Sequence, residues 1–244
     1  MDEDEFELDI QAFMKACASG DVDMVAAVKG TPFERVKEAK SGAQHSPEWF
    51  AARLGNATAS RIADVIAKTR TGYGAARSKY AIELATERMT GKPIEVFVSR
   101  DMQWGTDTEP TARERYSDVA GATVKECGMI PHPTINNSGA SPDGLVGRVG
   151  LLEIKCPRTT TMVDTVLSGE IPARYQAQMN WQLACTKRKW CDFVMFDPRL
   201  PEHSQIWIKR HHRDDEVIAQ LEDEVAGFLI EVESMTSRFL EAVK

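Results

Sequence analysis

The spacing of apolar residues changes character at about residue 122. Before that point they recur every three or four positions, the repeat of helices with one buried face. Within residues 1–40, Phe13, Ala16 and Cys17 share one such face, and Val22, Val25 and Val28 are spaced for a second short helix. The polar stretch Ser41-Gly42-Ala43-Gln44-His45-Ser46-Pro47 reads as a loop. A helix follows over 48–55, with Gly55 as its stop signal. Thr58 or Ser60 is placed to cap a next helix whose inward residues are Ile62, Val65 and Ile66. Further helices are predicted over 76–90, with Tyr80 and Leu84 inward and Gly91 at the end, and over 102–119. Beyond 122, short β-type segments punctuated by Gly, Pro and Asn take over at 122–130, 139–147 and 149–156. Pro172 opens a helix over Ala173–Thr186, two strands follow at 190–196 and 204–210, and a long amphipathic helix occupies 214–243. Its inward set is Val217, Leu221, Val225, Phe228, Val232, Met235 and Phe239, with a kink expected near Gly227. This order predicts an α/β chain with one central mixed sheet flanked by helices. It divides into a helical leader, 1–40, and a single domain, 41–244.

Composition narrows the class. With 42% hydrophobic and 27% charged residues among 244, the chain is expected to be globular. No apolar run reaches the roughly 18 residues of a membrane span. The acidic start, Met1-Asp2-Glu3-Asp4-Glu5, is unlike a secretory signal, so a cytoplasmic setting with reduced thiols is expected for the five cysteines. The net charge of −7 is unevenly spread. Residues 1–30 carry eight acids and two bases, and residues 214–244 nine acids and two bases, so residues 31–213 are left with a net +6. A field of that sign suits a phosphate backbone, although solvated helix faces give the same count.

Candidate chemistry lies in Ser141-Pro142-Asp143-Gly144-Leu145-Val146 and the following Leu151-Leu152-Glu153-Ile154-Lys155-Cys156. In a strand, Glu153 and Lys155 point one way and Leu152, Ile154 and Cys156 the other. Burying an acid and an amine on one face is costly without partners. Asp143 lies ten positions before Glu153, across a stretch containing Gly144, Gly147 and Gly150, so a hairpin can set the two carboxylates side by side. Two such groups repel unless a cation lies between them. Magnesium fits, being bound by a few carboxylates, water and substrate phosphate. The Ile154 carbonyl could add an oxygen, and Lys155 could orient a water or offset phosphate charge. The pattern outlines a site for phosphodiester hydrolysis. A surface hairpin with an exposed Glu–Lys pair is the plain alternative.

These residues belong to a wider set: Pro47-Glu48-Trp49, Arg53-Leu54-Gly55, Thr58-Ala59-Ser60, Trp104-Gly105 with Glu109, Ser141-Pro142-Asp143-Gly144, Glu153-Ile154-Lys155-Cys156-Pro157, and Tyr175-Gln176-Ala177-Gln178. In order and spacing the set resembles the phage-lambda-type alkaline exonucleases, viral recombinase nucleases of the PD-(D/E)XK superfamily, over about residues 46–240. The resemblance implies a restriction-endonuclease-like fold, with an exonuclease domain over 41–244. It implies magnesium held by Asp143, Glu153 and the Ile154 carbonyl, with manganese as a substitute and room for two ions. Lys155 would place the water, and Glu109 and Gln178 would stand beside it. Arg53 and Ser60 would contact the 5′-terminal phosphate, and Ser141 could donate to the same strand. The implied activity is 5′-to-3′ digestion of one strand of linear duplex DNA to mononucleotides, leaving a 3′ overhang for a single-strand annealing protein. The implied setting is phage recombination in a bacterial host, by a homotrimer ring that engages no membrane. The acidic leader departs from the pattern and has no assigned role.

Two other readings compete. An iron–sulfur nuclease would need clustered cysteines, and no C-x-x-C pair is present. The other is a non-processive or structural DNA-end-binding protein with the same fold; a non-catalytic binder would be expected to lack the acids, and Asp143, Glu153 and Lys155 are all here. Trp49 is expected to pack or to stack on a base. His211-His212 reads as surface residues, and Lys187-Arg188-Lys189 as a phosphate contact or a solvated turn.

Overall fold

The computed structural model describes Gln44, residues 46–95 and residues 98–244. The leader 1–40 and its two expected helices lie outside the described residues. The first elements are helix α1 (Pro47–Arg53), strand β1 (Ala57–Thr58), a 3₁₀ turn (Ala59–Arg61) and the single-turn helix α2 (Ile62–Val65). The small hairpin β2 (Lys68–Thr69) and β3 (Gly72–Tyr73) leads to α3 (Ala75–Thr90) and α4 (Arg100–Ala120). Five short strands follow: β4 (Val124–Lys125), β5 (Ile130–Pro131), β6 (Ser138–Ala140), β7 (Gly144–Val146) and β8 (Gly150–Lys155). The chain continues through α5 (Thr159–Ser168), α6 (Ala173–Thr186), β9 (Trp190–Phe196), β10 (Ile206–His212) and α7 (Asp215–Ala242).

The central sheet has the order β10-β9-β8-β7-β4. Strands β8 and β9 run parallel, with α5 and α6 making the crossover that parallel neighbours require, and the other pairs are antiparallel. Alternation along the inner strands sends Leu151, Cys191, Phe193 and Met195 into a core shared with α2, α3, α6 and α7. Leu152, Ile154, Val194 and Phe196 face the opposite way, against Ala112 and Tyr116 of α4. A second sheet, β1-β6-β5, packs against α6.

The terminal signals act as expected. Ser46 caps α1 by accepting from the Trp49 N–H, and Gly91 ends α3 in the left-handed conformation. Four expectations need correction. The segment after Thr58 is a 3₁₀ turn and one α-turn, with no side-chain cap from Thr58, whose hydroxyl accepts from Arg53 instead. The predicted strands 122–130 and 139–147 are each divided between two sheets: the first into β4 and β5, and the second so that β6 ends at Ala140 and β7 begins at Gly144. Pro142 lacks an N–H for a ladder, and the break leaves Asp143 at the corner between the sheets. Helix α5 was not anticipated, since its Thr-Thr-Thr start reads as strand or turn; it buries Met162 and Thr165 but leaves Leu167 82% exposed. In α7 the inward set is Ile218, Leu221, Val225, Phe228, Val232 and Thr236, while Val217 and Phe239 face solvent. Leu221, Val225, Phe228 and Val232 are common to both sets, so only the ends of the expected face differ, where Ile218 and Thr236 are buried.

Candidate active site

The β7–β8 hairpin places Gly144 opposite Leu152, Leu145 opposite Leu151 and Val146 opposite Gly150. Gly147, at φ +53°, supplies the left-handed residue that lets the chain reverse. One position beyond the Gly144–Leu152 pair, at the open end of the hairpin, the register sets Asp143 opposite Glu153. Strand β7 no longer reaches the Ile154 N–H, which donates to Asp143 Oδ2 at 2.7 Å. Glu153 is fully buried. Its Oε1 accepts from Lys155 Nζ and from Gln178 Nε2, the latter at 2.6 Å, and its Oε2 accepts from Gln182 Nε2 at 2.5 Å. Both amides come from one face of α6, four residues apart. Tyr175, from the same face, sets its ring 5.2 Å from Lys155 Nζ and packs on Phe193.

The electrostatics follow from this crowding. Burial first, then the charges of Glu153 and Glu109, push the Asp143 carboxyl well above its usual range; Lys155 and the Ile154 N–H pull the other way. Burial would depress the Lys155 ammonium, but Glu153 and Asp143 outweigh it and hold the amine firmly charged. Glu109 lies mid-way along α4, where it pairs with Arg113. Arg113 also donates from Nε to the Asp143 carbonyl at 3.2 Å and pairs with Glu126 at 3.1 Å. One arginine therefore ties the α4 acid to the Asp143 corner.

A second group of candidates gathers on α1 and β1. Trp49 is buried and donates from its indole to Ser141 Oγ at 3.0 Å, so it packs. Gln44 donates to the Pro142 carbonyl at 2.8 Å. The Arg53 guanidinium lies over the Trp49 ring, 4.4 Å from its centroid, and donates to Thr58 Oγ1 at 3.4 Å. Thr58 Oγ1 is in turn 3.5 Å from Ser60 Oγ. Burial lowers the Arg53 pKa, and among the described residues no carboxylate forms an ion pair with it. Arg53, Thr58, Ser60 and Ser141 thus form one corner, joined to the acids through the Ser141-Pro142-Asp143 loop. Ser60 lies inside the 3₁₀ turn and is exposed.

The other candidates do not join the site. Arg188 donates to the Val146, Gly147 and Gly150 carbonyls and pins the β7–β8 turn, which resolves the Lys187-Arg188-Lys189 run as structural at its centre. His211 bonds Asn180 at 2.7 Å, and His212 is exposed. Cys156, Cys185 and Cys191 are buried thiols whose surroundings raise their pKa values, that of Cys156 to about 12.

Among the described residues no group of three or more His, Cys, Asp or Glu is gathered into a ready cage for a metal. The donor set at the hairpin is smaller: two opposed carboxylates and a neighbouring main-chain oxygen. Hard oxygens with room for water are what magnesium takes, whereas a softer metal would look for nitrogen or sulfur. Burial and the neighbouring Glu153 and Glu109 charges disfavour the Asp143 carboxylate when no cation is present, and the all-oxygen donor set fits a hard divalent cation.

The YqaJ-like viral recombinase domain matches residues 48–189, which spans α1 through the end of α6. The chain belongs to this family. The solved alkaline exonuclease LHK-Exo from Laribacter hongkongensis is 48% identical, with a TM-score of 0.76, over 81% of this chain and 98% of that one. Its complex with dAMP superposes with a TM-score of 0.77. A phage-related exonuclease from Haemophilus somnus 129PT shares the fold at 16% identity and a TM-score of 0.59, over 75% of this chain. A search of curated proteins finds no match. This viral recombinase nuclease is therefore a DNA exonuclease, on an α/β fold with a mixed sheet between helices. Sequence reasoning missed Arg113 and Gln182. Gln182 had a signal, since it follows Gln178 by one helical turn; Arg113 had only the same spacing from Glu109.

Proposed function

We propose that this nuclease degrades one strand of linear duplex DNA from a 5′ end, with magnesium, releasing mononucleotides and leaving a 3′ overhang. The observation that carries this reading is the opposed Asp143–Glu153 pair, with Lys155 on the same face. Asp143, Glu153 and the Ile154 carbonyl would hold the ion. Bound there, magnesium would offset charge on the scissile phosphate and provide a water acidic enough to act near neutral pH.

The chain's own residues perform the rest. Lys155 keeps its proton, so its ammonium is a fixed positive charge for the oxyanion that develops during cleavage. Glu153 and the Tyr175 ring hold that ammonium in place. Gln178, partly exposed and already aimed at Glu153, can turn a donor toward the attacking water or the phosphate. Arg113 braces Glu109 and the Asp143 main chain. Arg53 and Ser60, with Ser141 beside them, receive the 5′ phosphate, and the guanidinium suits this because among the described residues it forms no ion pair with a carboxylate.

The wider role proposed is phage-type recombination in the cytoplasm of a bacterial host, by a homotrimer supplying single strands to an annealing protein. No helix among the described residues is long and apolar enough to cross a membrane. The test is a linear duplex labelled separately at each end, incubated with magnesium or with EDTA, and sized over time. Release of labelled mononucleotide from the 5′ end, only with magnesium, is expected. Release from the 3′ end, internal cuts, or full activity in EDTA would overturn polarity, exonuclease action or metal dependence in turn.

A further inference from the structure

Gln182 is a fully buried amide in a neighbourhood that otherwise belongs to the core. Met179 and Leu183 flank it on α6, and both are buried in the apolar cluster behind the sheet. A leucine or methionine would be cheaper there, because an amide taken out of water must recover its hydrogen bonds. Gln182 does so with two partners on adjacent strands. Its Nε2 donates to Glu153 Oε2 on β8 at 2.5 Å, and its Oε1 lies 3.9 Å from the Cys191 thiol on β9, which donates to it. With a carboxylate on one side and a thiol on the other, the amide has one favourable orientation.

The two oxygens of Glu153 are consequently unlike. Oε2 is held by Gln182, which has no exposure to solvent. Oε1 is held by Lys155, whose side chain is 25% exposed, and by the partly exposed Gln178. Oε1 is thus the oxygen on the open side, and Oε2 the one turned inward.

We propose that Gln182 is a positioning residue for the metal site: by anchoring the inner oxygen of Glu153 it fixes the carboxylate so that the outer oxygen is presented to the cation. The proposal rests on the magnesium reading above and extends it to a residue outside the four-residue block Tyr175–Gln178. Partners that hold a metal ligand from behind affect affinity by roughly 10–100-fold.

The test uses the full chain with Gln182→Leu and Gln182→Met. Leucine removes the amide at similar volume, and the unbranched methionine is the gentler replacement if leucine disturbs α6. Manganese binding to metal-free protein is measured by calorimetry, and activity on 5′-phosphorylated linear duplex is titrated with magnesium. A manganese Kd raised by roughly 10–100-fold is expected, with the magnesium midpoint shifted to match and kcat at saturating magnesium near that of the parent. An unchanged Kd and midpoint, with kcat lowered at every magnesium concentration, would mean that Gln182 only packs, and would overturn the proposal. Asp143→Asn is the control for the underlying reading. If it abolishes manganese binding, the metal site is where we place it, and the Gln182 result stands alone. If the parent and Asp143→Asn bind manganese alike, or neither binds, the metal reading fails and takes this inference with it.

Discussion

Both oxygens of Glu153 are tied: an ammonium and two amides converge on them, and a main-chain N–H holds Asp143, at the end of long β8 and against the four-turn helix α6. Around Arg53 the elements are a short helix, a two-residue strand and a 3₁₀ turn, the bonds linking Arg53, Thr58 and Ser60 are 3.4–3.5 Å long, and the guanidinium rests on an indole face. Both regions hang from one loop, Ser141-Pro142-Asp143. The contrast follows from what each would do. A group that stabilises charge during a reaction must be fixed beforehand, since reorganising it costs part of the barrier. A group that receives a phosphate end must keep donors in reserve.

Four substitutions press on this contrast. The largest effect is expected for Asp143→Asn, which removes a charge from the metal donors while keeping shape. Cleavage should fall to the level of a no-enzyme control, with duplex binding retained in a gel-shift assay; appreciable turnover would remove Asp143 from the site. Next, Lys155→Ala should lower kcat by roughly 10²–10³-fold, the usual loss for one preorganised donor, while manganese still binds. If the protein instead unfolds and no folded fraction shows a lowered kcat, the Glu153–Lys155 pair is structural and the contrast dissolves. For Arg53→Ala, the preference for 5′-phosphate over 5′-hydroxyl ends should shrink roughly tenfold, the worth of a charge-assisted hydrogen bond, with kcat on phosphorylated ends at saturation nearly unchanged. A constant ratio would mean that the arginine serves only to cover Trp49. The smallest effect belongs to Gly55→Ala. Gly55 has φ +68°, its N–H donates to Glu87, and an added Cβ would meet Arg88 Cγ at 2.9 Å. A loss of about 1–2 kcal/mol in urea unfolding is expected, together with weaker discrimination of 5′ ends, because the turn carries Arg53 toward Thr58. Unaltered stability would show that this turn is looser than its bonds suggest.

Much of the catalytic half was readable from local pattern. The period-two alternation over Leu151–Cys156 put Glu153 and Lys155 on one face, and the glycine-bearing turn after Asp143 pointed to a hairpin. Pro172 and the spacing of Tyr175, Met179 and Leu183 marked α6 with its observed limits, Ala173–Thr186. Beyond α1 the Arg53 corner was less readable, because β1 and the 3₁₀ turn are two and three residues long and a repeat needs several periods to register. The strand drawn through 139–147 failed for a related reason: apolar pattern does not say which sheet a residue joins, and Pro142 marks the change only once both sheets are seen. The triple threonine at the start of α5 has the β-branched look of a strand, and burial of Met162 and Thr165 overrode it.

Residue order along the chain was enough to establish the helices with clear caps, the alternating face of β8, and the acid–turn–acid–lysine spacing. These depend on neighbours within about ten positions, where backbone geometry alone dictates direction. Folding in three dimensions supplied what spans longer stretches: the amides of Gln178 and Gln182 on Glu153, Arg113 on the Asp143 carbonyl, and the Trp49 indole on Ser141, 92 residues away. Such contacts arise from which faces bury together, and a polar side chain has no periodic signature for the partner it will meet. Which residues close the two ends of the buried face of α7 was decided in the same way, where the helix packs on α3.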